Sequence, residues 1–526
     1  MNRLRPALRG ALLASAALLL VNAGAADTLR RGAVAEPNSL DPQVVSGASS
    51  TIMRDLFTGL TSYDSAGGLM PGAAESWEIS EDGLNYRFRL RENLKWSDGT
   101  LIAAKDFVYT LRRLLTPGNR TRFGSFFYSI RNGRRIMSGE LDPAELGVRA
   151  EDERTFVIEL QRPDPTLLQK LSNYAAAAMP QAVIEEHGRR WSRPGRLITT
   201  GPYRLAEWVP QSYLKLEKNP HFYAADEIQF ETVQYFPTTN AETAMRRFLA
   251  GDLEFLLTFP SDRMEWIQEN LPGQLKIWPG LGLSYITFNN RKPPFDDVRV
   301  RRALTISVDR EQIAERIMVV GVPPAYTMTP YVVSNYDNPV PEYAHRPMSE
   351  RLAEARSLLE AAGYGPDRPL TFELRYEPPE ENRRLAIALQ AIWREIGVNT
   401  ELLFTDFGTL YRSVGTGDYT AARFAWFSPT DSPETFLFIL ETGATTNYSG
   451  YSNPDYDRLI AVAEAQLDSE ARLAAYREAE ALALADFPVM PLYFMVHRNL
   501  VAPDIRGYTP NSRGIAASRF LYRVKQ

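Results

Sequence analysis

The 526 residues include no cysteine and only four histidines. Without cysteine there is no disulfide framework, no thiolate nucleophile, no sulfur-ligated zinc and no lipid-modified cysteine. His187, His221, His345 and His497 are scattered, with no pair one helical turn apart, so no local zinc motif forms and each reads as a structural or surface residue. The nucleophile elbow, the zinc-protease helix and the phosphate-binding glycine loop are missing as well. Basic charge is not in excess: 59 Lys and Arg stand against 64 Asp and Glu, a formal charge of -5, which excludes the positive stripe of a nucleic-acid binder. No catalytic residue, metal or cofactor is therefore expected.

Long apolar runs are scarce too. The single one, Ala11 to Val21, follows Arg3, Arg5 and Arg9 and precedes the small residues Ala23, Gly24 and Ala25. That order is a secretory signal peptide, and the run is too short to span a bilayer comfortably. Cleavage after Ala25 removes three arginines and no acid, so -5 becomes -8. The expectation is a freely diffusing periplasmic protein stabilised by core burial alone.

The remainder has the composition of a soluble globular chain, 44% hydrophobic, with no repeat or flexible linker that separates domains in series. Asn85 to Arg91 and Thr155 to Gln161 alternate apolar and polar residues as half-buried strands do, and Gly201 to Asn219 reads as two strands around a turn near Pro210. Leu385, Leu389, Ile392 and Ile396 recur at helical spacing before a capping Gly397; Met348 to Tyr364 ends likewise at Gly363, and Tyr456 to Phe487 holds two more helices before a strand, "VMPLYFMV". Asp296 and Asp297 could serve as a glycosidase-like acid pair but read better as a helix N-terminus, and "RNGRR" (Arg131 to Arg135) as a solvated turn. This is an α/β chain with many strands.

Three stretches, "AESWEISEDGLNYRFRLRENLKWSDGTLIAAKDFVYTLRRLL" from Ala74, "FNNRKPPFDDVRVRRALTISVDR" from Phe288, and "NPDYDRLI" with "FPVMPLYFMVHRNLV", together with "SLDP" at Ser39 and "GPYRL" at Gly201, carry a resemblance. In that order they resemble the periplasmic oligopeptide-binding proteins of bacterial ABC importers. The resemblance implies a two-lobed type II periplasmic-binding-protein clamshell with an extra inserted domain. Its parts would be a signal peptide at 1–25, lobe I from 26–58, 183–280 and 497–526, an inserted domain of lobe I at 59–182, and lobe II at 281–496. It implies a peptide or peptide-like solute held between the lobes, an inner-membrane ABC permease as partner, and a monomer. A non-peptide solute such as a sugar or an opine-like compound, a periplasmic cell-wall hydrolase and a sensor or chaperone-like module are the alternatives.

The same resemblance implies which residues face the solute. Ser46, Gly47 and Ala48 align with the loop whose main chain pairs with the peptide. Arg423 matches an arginine that reaches a ligand carboxylate and Trp426 a pocket-lining tryptophan; Phe407 is expected among the ligand-binding residues. Phe123 stands where other members place a tyrosine, and Phe427 and Gly282 stand where some have cysteines. One position breaks the pattern. The acid that grips a ligand ammonium in such proteins lies three residues past the tryptophan, which here is Pro429, with neither charge nor N–H. Asp431, two residues on, is either a displaced substitute or a turn-former, and a narrow preference goes to a solute without a free ammonium.

Overall fold

The computed structural model describes residues 28–33, 35–45, 50–119, 121, 123–378 and 380–524. The leader at 1–25 and Ser46, Gly47 and Ala48 lie outside these residues.

One mixed ten-stranded sheet runs through the molecule. Its spatial order is Val398–Phe404, Leu370–Tyr376, Ala421–Phe427, Leu275–Phe288, Val489–Val501, Phe255–Leu256, Thr28–Ala33, Thr232–Pro237, Tyr213–Lys218 and Tyr203–Val209. Two strands in the middle are far longer than the rest, 14 and 13 residues, and pair antiparallel with each other along both halves of the sheet. Their register shifts between Pro279 and Leu283, where the pairing of Pro279 with Val496 gives way to that of Leu283 with Phe494. A bulge bends a strand and raises its twist, so the two halves of the sheet meet at an angle there. Gly282 sits in this bend because a Cβ would lie 2.9 Å from atoms of both Met495 and Phe427.

The buried side chains fall into three large clusters. The first joins residues of 29–255 to the C-terminal Ile505, Ala516 and Leu521; the other two draw on 244–500 and 281–494. The helices Ala241–Leu249 and Met264–Asn270, which the sequence reading assigns to the first lobe, bury Met245, Phe248, Met264 and Ile267 in the second of these clusters. A separate four-stranded antiparallel sheet, Ala74–Ile79, Asn85–Leu90, Thr155–Glu159 and Val148–Ala150 in spatial order, packs the helix Ala104–Leu115 on one side through Phe88, Phe107 and Phe156. It lies within the stretch expected to be inserted.

Local signals account for many element ends. Asn85–Leu90 alternates exposed and buried residues as its sequence does. Thr155–Glu159 does not: Thr155, Phe156, Val157 and Ile158 are all buried, because this strand is interior to its sheet and covered on both faces. Glu380–Glu395 is a helix burying Leu385, Leu389 and Trp393, and Gly397 follows at φ +83°, a value that costs a glycine little. Asp297 caps the helix Val298–Ile306, its side chain accepting from Arg299 N, as its sequence context indicates. The "RNGRR" run is tighter than a turn: Gly133–Met137 forms a short helix after Asn132 in the left-handed region.

Candidate ligand-binding site

Beside the bend in the two long strands lies a cavity of about 310 Å³. Its walls come from the strands Ala421–Phe427 and Val489–Val501, the helices Glu380–Glu395 and Phe407–Thr416, and the segments 318–322 and 377–378. Met318, Val320, Val322, Leu410, Phe424, Met495 and Val496 make it largely apolar, and Phe407, Tyr411 and Phe427 stand half-exposed around it. An apolar chamber with few polar groups is the usual form of a small-molecule site.

The polar groups in its wall are mostly charged and are matched to each other. Arg423, buried on the strand Ala421–Phe427, donates to Glu377 Oε1 at 2.6 Å, to Ser284 Oγ at 3.1 Å and to Tyr493 Oη at 3.4 Å. Ser284 and Tyr493 are cross-strand partners on the two long strands, and Glu377 directly follows the strand Leu370–Tyr376. Four adjacent segments thus converge on one guanidinium. Burial disfavours its charge, but Tyr493 and Glu377 outweigh burial and hold its pKa above the ordinary arginine value. A second pair, Arg498 Nη2 to Glu381 Oε1 at 3.1 Å, completes the charged part of the wall.

Of the solute-facing residues expected from sequence, Arg423, Phe407 and Phe427 lie in this wall. Trp426 points to the opposite face of its strand, where its ring meets Phe438 edge-on at 5.6 Å. Phe123 packs against Phe126 and Tyr174 at 5.8 and 5.6 Å. Asp431 lies outside the wall. Its Oδ1 accepts from Ser334 N at 2.9 Å and its Oδ2 from Ser334 Oγ at 2.7 Å, so both oxygens brace a neighbouring loop. Phe427 faces Gly282 across the sheet, and its ring fills the space that a side chain there would need. The sequence reading missed Glu377, Glu381 and Arg498. For Glu377 a signal existed, since ligands of open α/β sheets gather just beyond the carboxyl ends of strands and it is the first residue after one.

Contacts join the stretch 59–182 to the far side of the molecule. Lys170 Nζ reaches Asp164 at 2.8 Å and Glu434 at 3.1 Å, Arg162 pairs with Glu464 at 2.6 Å, and Arg134 approaches Glu441 at 3.8 Å. Asp431 N also donates to Gln169 Oε1 at 2.8 Å. Arg134, Arg162, Lys170, Glu434, Glu441 and Glu464 line a second cavity of about 230 Å³. Among the described residues no cluster of His, Asp and Glu is arranged to hold a metal ion, and no helix is long and apolar enough to cross a membrane.

The family model of the bacterial extracellular solute-binding proteins, family 5, matches residues 68–448, more than half of the chain. This chain belongs to family 5. Curated members of similar sequence include the periplasmic murein peptide-binding protein MppA of Escherichia coli, 34% identical over 495 residues, covering 93% of this chain and 92% of MppA. The probable deoxycholate-binding periplasmic protein YgiS of the same organism is 34% identical over 492 residues, with 93% and 92% covered. The periplasmic oligopeptide-binding protein OppA of Salmonella typhimurium is 34% identical over 487 residues, with 92% and 90% covered. The crystal structure of Haemophilus influenzae OppA in complex with RPPGFSPFR superposes with a TM-score of 0.88 at 31% identity, covering 95% of this chain and 99% of that one.

Family 5 proteins of this branch are type II periplasmic binding proteins, and the clamshell expected from sequence is the fold found. The E. coli MppA structure superposes at TM-score 0.89 and its unliganded open form at 0.76, both at 34% identity and 95% coverage of this chain, with 99% and 98% of the MppA chains covered. The lobes here therefore depart from the open arrangement, in keeping with the ion pairs between them.

Those pairs carry a pH dependence. Burial raises the pKa of Glu464 to about 7, against the opposing pull of Arg162 and with added repulsion from Glu434 and Glu441. Opening that exposes Glu464 to water should return its pKa toward the ordinary carboxylate value, because the cause of the rise is burial. The closed form should then bind a proton that the open form releases, with the penalty on closing full above pH 7 and lost as the pH falls toward the ordinary carboxylate range. We expect up to one proton to be taken up on closure at pH 6, measured by calorimetry in buffers of different ionisation enthalpy, and no such uptake in Glu464→Gln. Equal uptake in both proteins would assign it to another group.

Proposed function

We propose that this chain is an exported receptor that captures a peptide or peptide-like solute and delivers it to an inner-membrane ABC permease. It works as a monomer in the periplasm after removal of residues 1–25, by binding and release without catalysis or cofactor. Its lobes follow the division 26–58 with 183–280 and 497–526, against 281–496, with 59–182 inserted. Membership of family 5 supports the receptor role. It does not select the solute, because MppA and OppA are named for peptides and YgiS for deoxycholate.

The observation that carries the reading is the position of the 310 Å³ cavity at the shift in register of the two long strands. The cavity wall lies within 281–496 apart from Arg498, so a solute seated there that also meets the opposite lobe on closure shifts the open and closed populations by its differential affinity for the two. Arg423 and the aromatic rim of Phe407 and Phe427 are the contacts we assign to it. Native mass spectrometry of the protein isolated from periplasm tests this directly: the retained solute should fragment at amide bonds and remain intact on prolonged incubation. Asp431→Asn should leave its affinity within about twofold, since Ser334 already occupies both carboxylate oxygens. A retained sugar, or turnover of the solute, would displace the proposal.

A further inference from the structure

We infer that the cavity selects a solute without net charge, and that Glu377 is the specificity-determining residue because it occupies the arginine that would otherwise hold an anion. This rests on the receptor reading above.

The cavity wall contains two guanidinium groups and two carboxylates, and each cation is joined to an anion of the same wall: Arg423 to Glu377 at 2.6 Å and Arg498 to Glu381 at 3.1 Å. Every other residue in the wall is uncharged, so the wall sums to zero. Arg423 and Glu377 are the deeper pair, with side chains 7% and 4% exposed. A solute carboxylate brought to Arg423 must either stand beside the carboxylate of Glu377, where two like charges in a poorly solvated site repel strongly, or displace it. Displacement leaves Glu377 buried and unpaired, which is among the most unfavourable changes a protein interior can suffer.

A solute ammonium fares no better. At Glu377 it would stand beside the guanidinium of Arg423, which already neutralises that carboxylate, while Asp431 is outside the wall and braced on Ser334 and Pro429 has no charge. What the pair leaves over is one donor and one acceptor. Nε of Arg423 and Oε2 of Glu377 are both buried without a hydrogen-bond partner, and buried polar groups are costly in that state. An uncharged amide, with a donor and an acceptor of its own, adds no further charge to that pair. The chamber therefore matches an amide-bearing, apolar, terminally blocked or cyclic compound better than a free zwitterion.

Calorimetric titration with one tripeptide, Ala-Phe-Ala, in three forms tests the inference: the free zwitterion, the N-acetylated acid, and the N-acetylated amide. The wild-type protein should bind the doubly blocked form at least tenfold more tightly than either charged form, a comparison that needs no variant. Glu377→Gln, close in shape to the native residue, leaves Arg423 uncompensated and should shift the ratio of affinities at least tenfold toward the N-acetylated acid and away from the doubly blocked form. Tighter binding of a carboxylate form by the wild type, or an equal loss for all forms in Glu377→Gln, overturns the role given to Glu377 and leaves the receptor reading standing. If no form binds either protein, the peptide-like reading itself falls, and this inference with it.

Discussion

Replacing Arg423 with alanine should lower the stability of the protein by about 3–5 kcal/mol, the cost of removing one partner from a buried ion pair. The loss comes from what remains. Glu377 is 3% exposed, its Oε1 accepts from the departed guanidinium, and its Oε2 has no other partner. Ser284 and Tyr493 lose an acceptor-side contact at the same time. The double variant Arg423→Met with Glu377→Leu should recover most of the loss, because a well-packed apolar pair in place of a buried ion pair is often neutral. Denaturant midpoints for the two singles and the double form the cycle, with an interaction energy of several kcal/mol expected. A single Arg423→Ala change costing less than about 1 kcal/mol would mean that water reaches Glu377 and that the pair is not the closed unit described. The sequence reading places the effect of this arginine on ligand affinity; the structure places its largest effect on folding.

Lys170→Met should be comparably damaging, about 3–5 kcal/mol, and should reverse a pH dependence. In the native protein Lys170 is 4% exposed and serves Asp164 and Glu434 together. Burial acts to raise the pKa of Asp164, but Lys170, Ser129 and Thr166 outweigh it and hold it below the ordinary 3.8. Stability from that carboxylate is thus present above pH 3.8 and lost as the pH falls through the lowered value. Without the ammonium, Asp164 stays buried without its ion-pair partner, its pKa rises, and acidification relieves the penalty. Between about pH 6 and 4, where carboxylates freed of a counter-ion titrate, the variant should gain stability while the native protein holds steady, as read from thermal midpoints. Parallel profiles would show that other groups neutralise Asp164. If Glu434 lies across the cleft from Lys170, as the proposed lobe division has it, the variant should also compact less on binding solute, measured by small-angle scattering.

What could be read from sequence alone was whatever depends on near neighbours or on a long ordered pattern. The strand Asn85–Leu90 and the helix Glu380–Glu395 follow from side-chain periods of two and 3.6, and the N-cap at Asp297 and the turn at Gly397 from single residues with one stereochemical use. The two-lobed fold and the receptor class followed from motifs spread in order over the chain. Burial on both faces of Thr155–Glu159 did not, since it depends on strands that the sequence does not place beside it.

The charge state of the site was decided by tertiary structure. Arg423 and Glu377 are 46 residues apart, and Asp431 and Ser334 are 97 apart. In the sequence Arg423, Glu377 and Asp431 are only charges somewhere in the chain, free to meet a solute, a neighbour or water. Once the strands Leu370–Tyr376 and Ala421–Phe427 lie side by side, Coulomb attraction at 2.6 Å in a desolvated wall pairs Arg423 with Glu377. Which charges a solute can still meet is therefore a property of strand order, and linear order does not contain it.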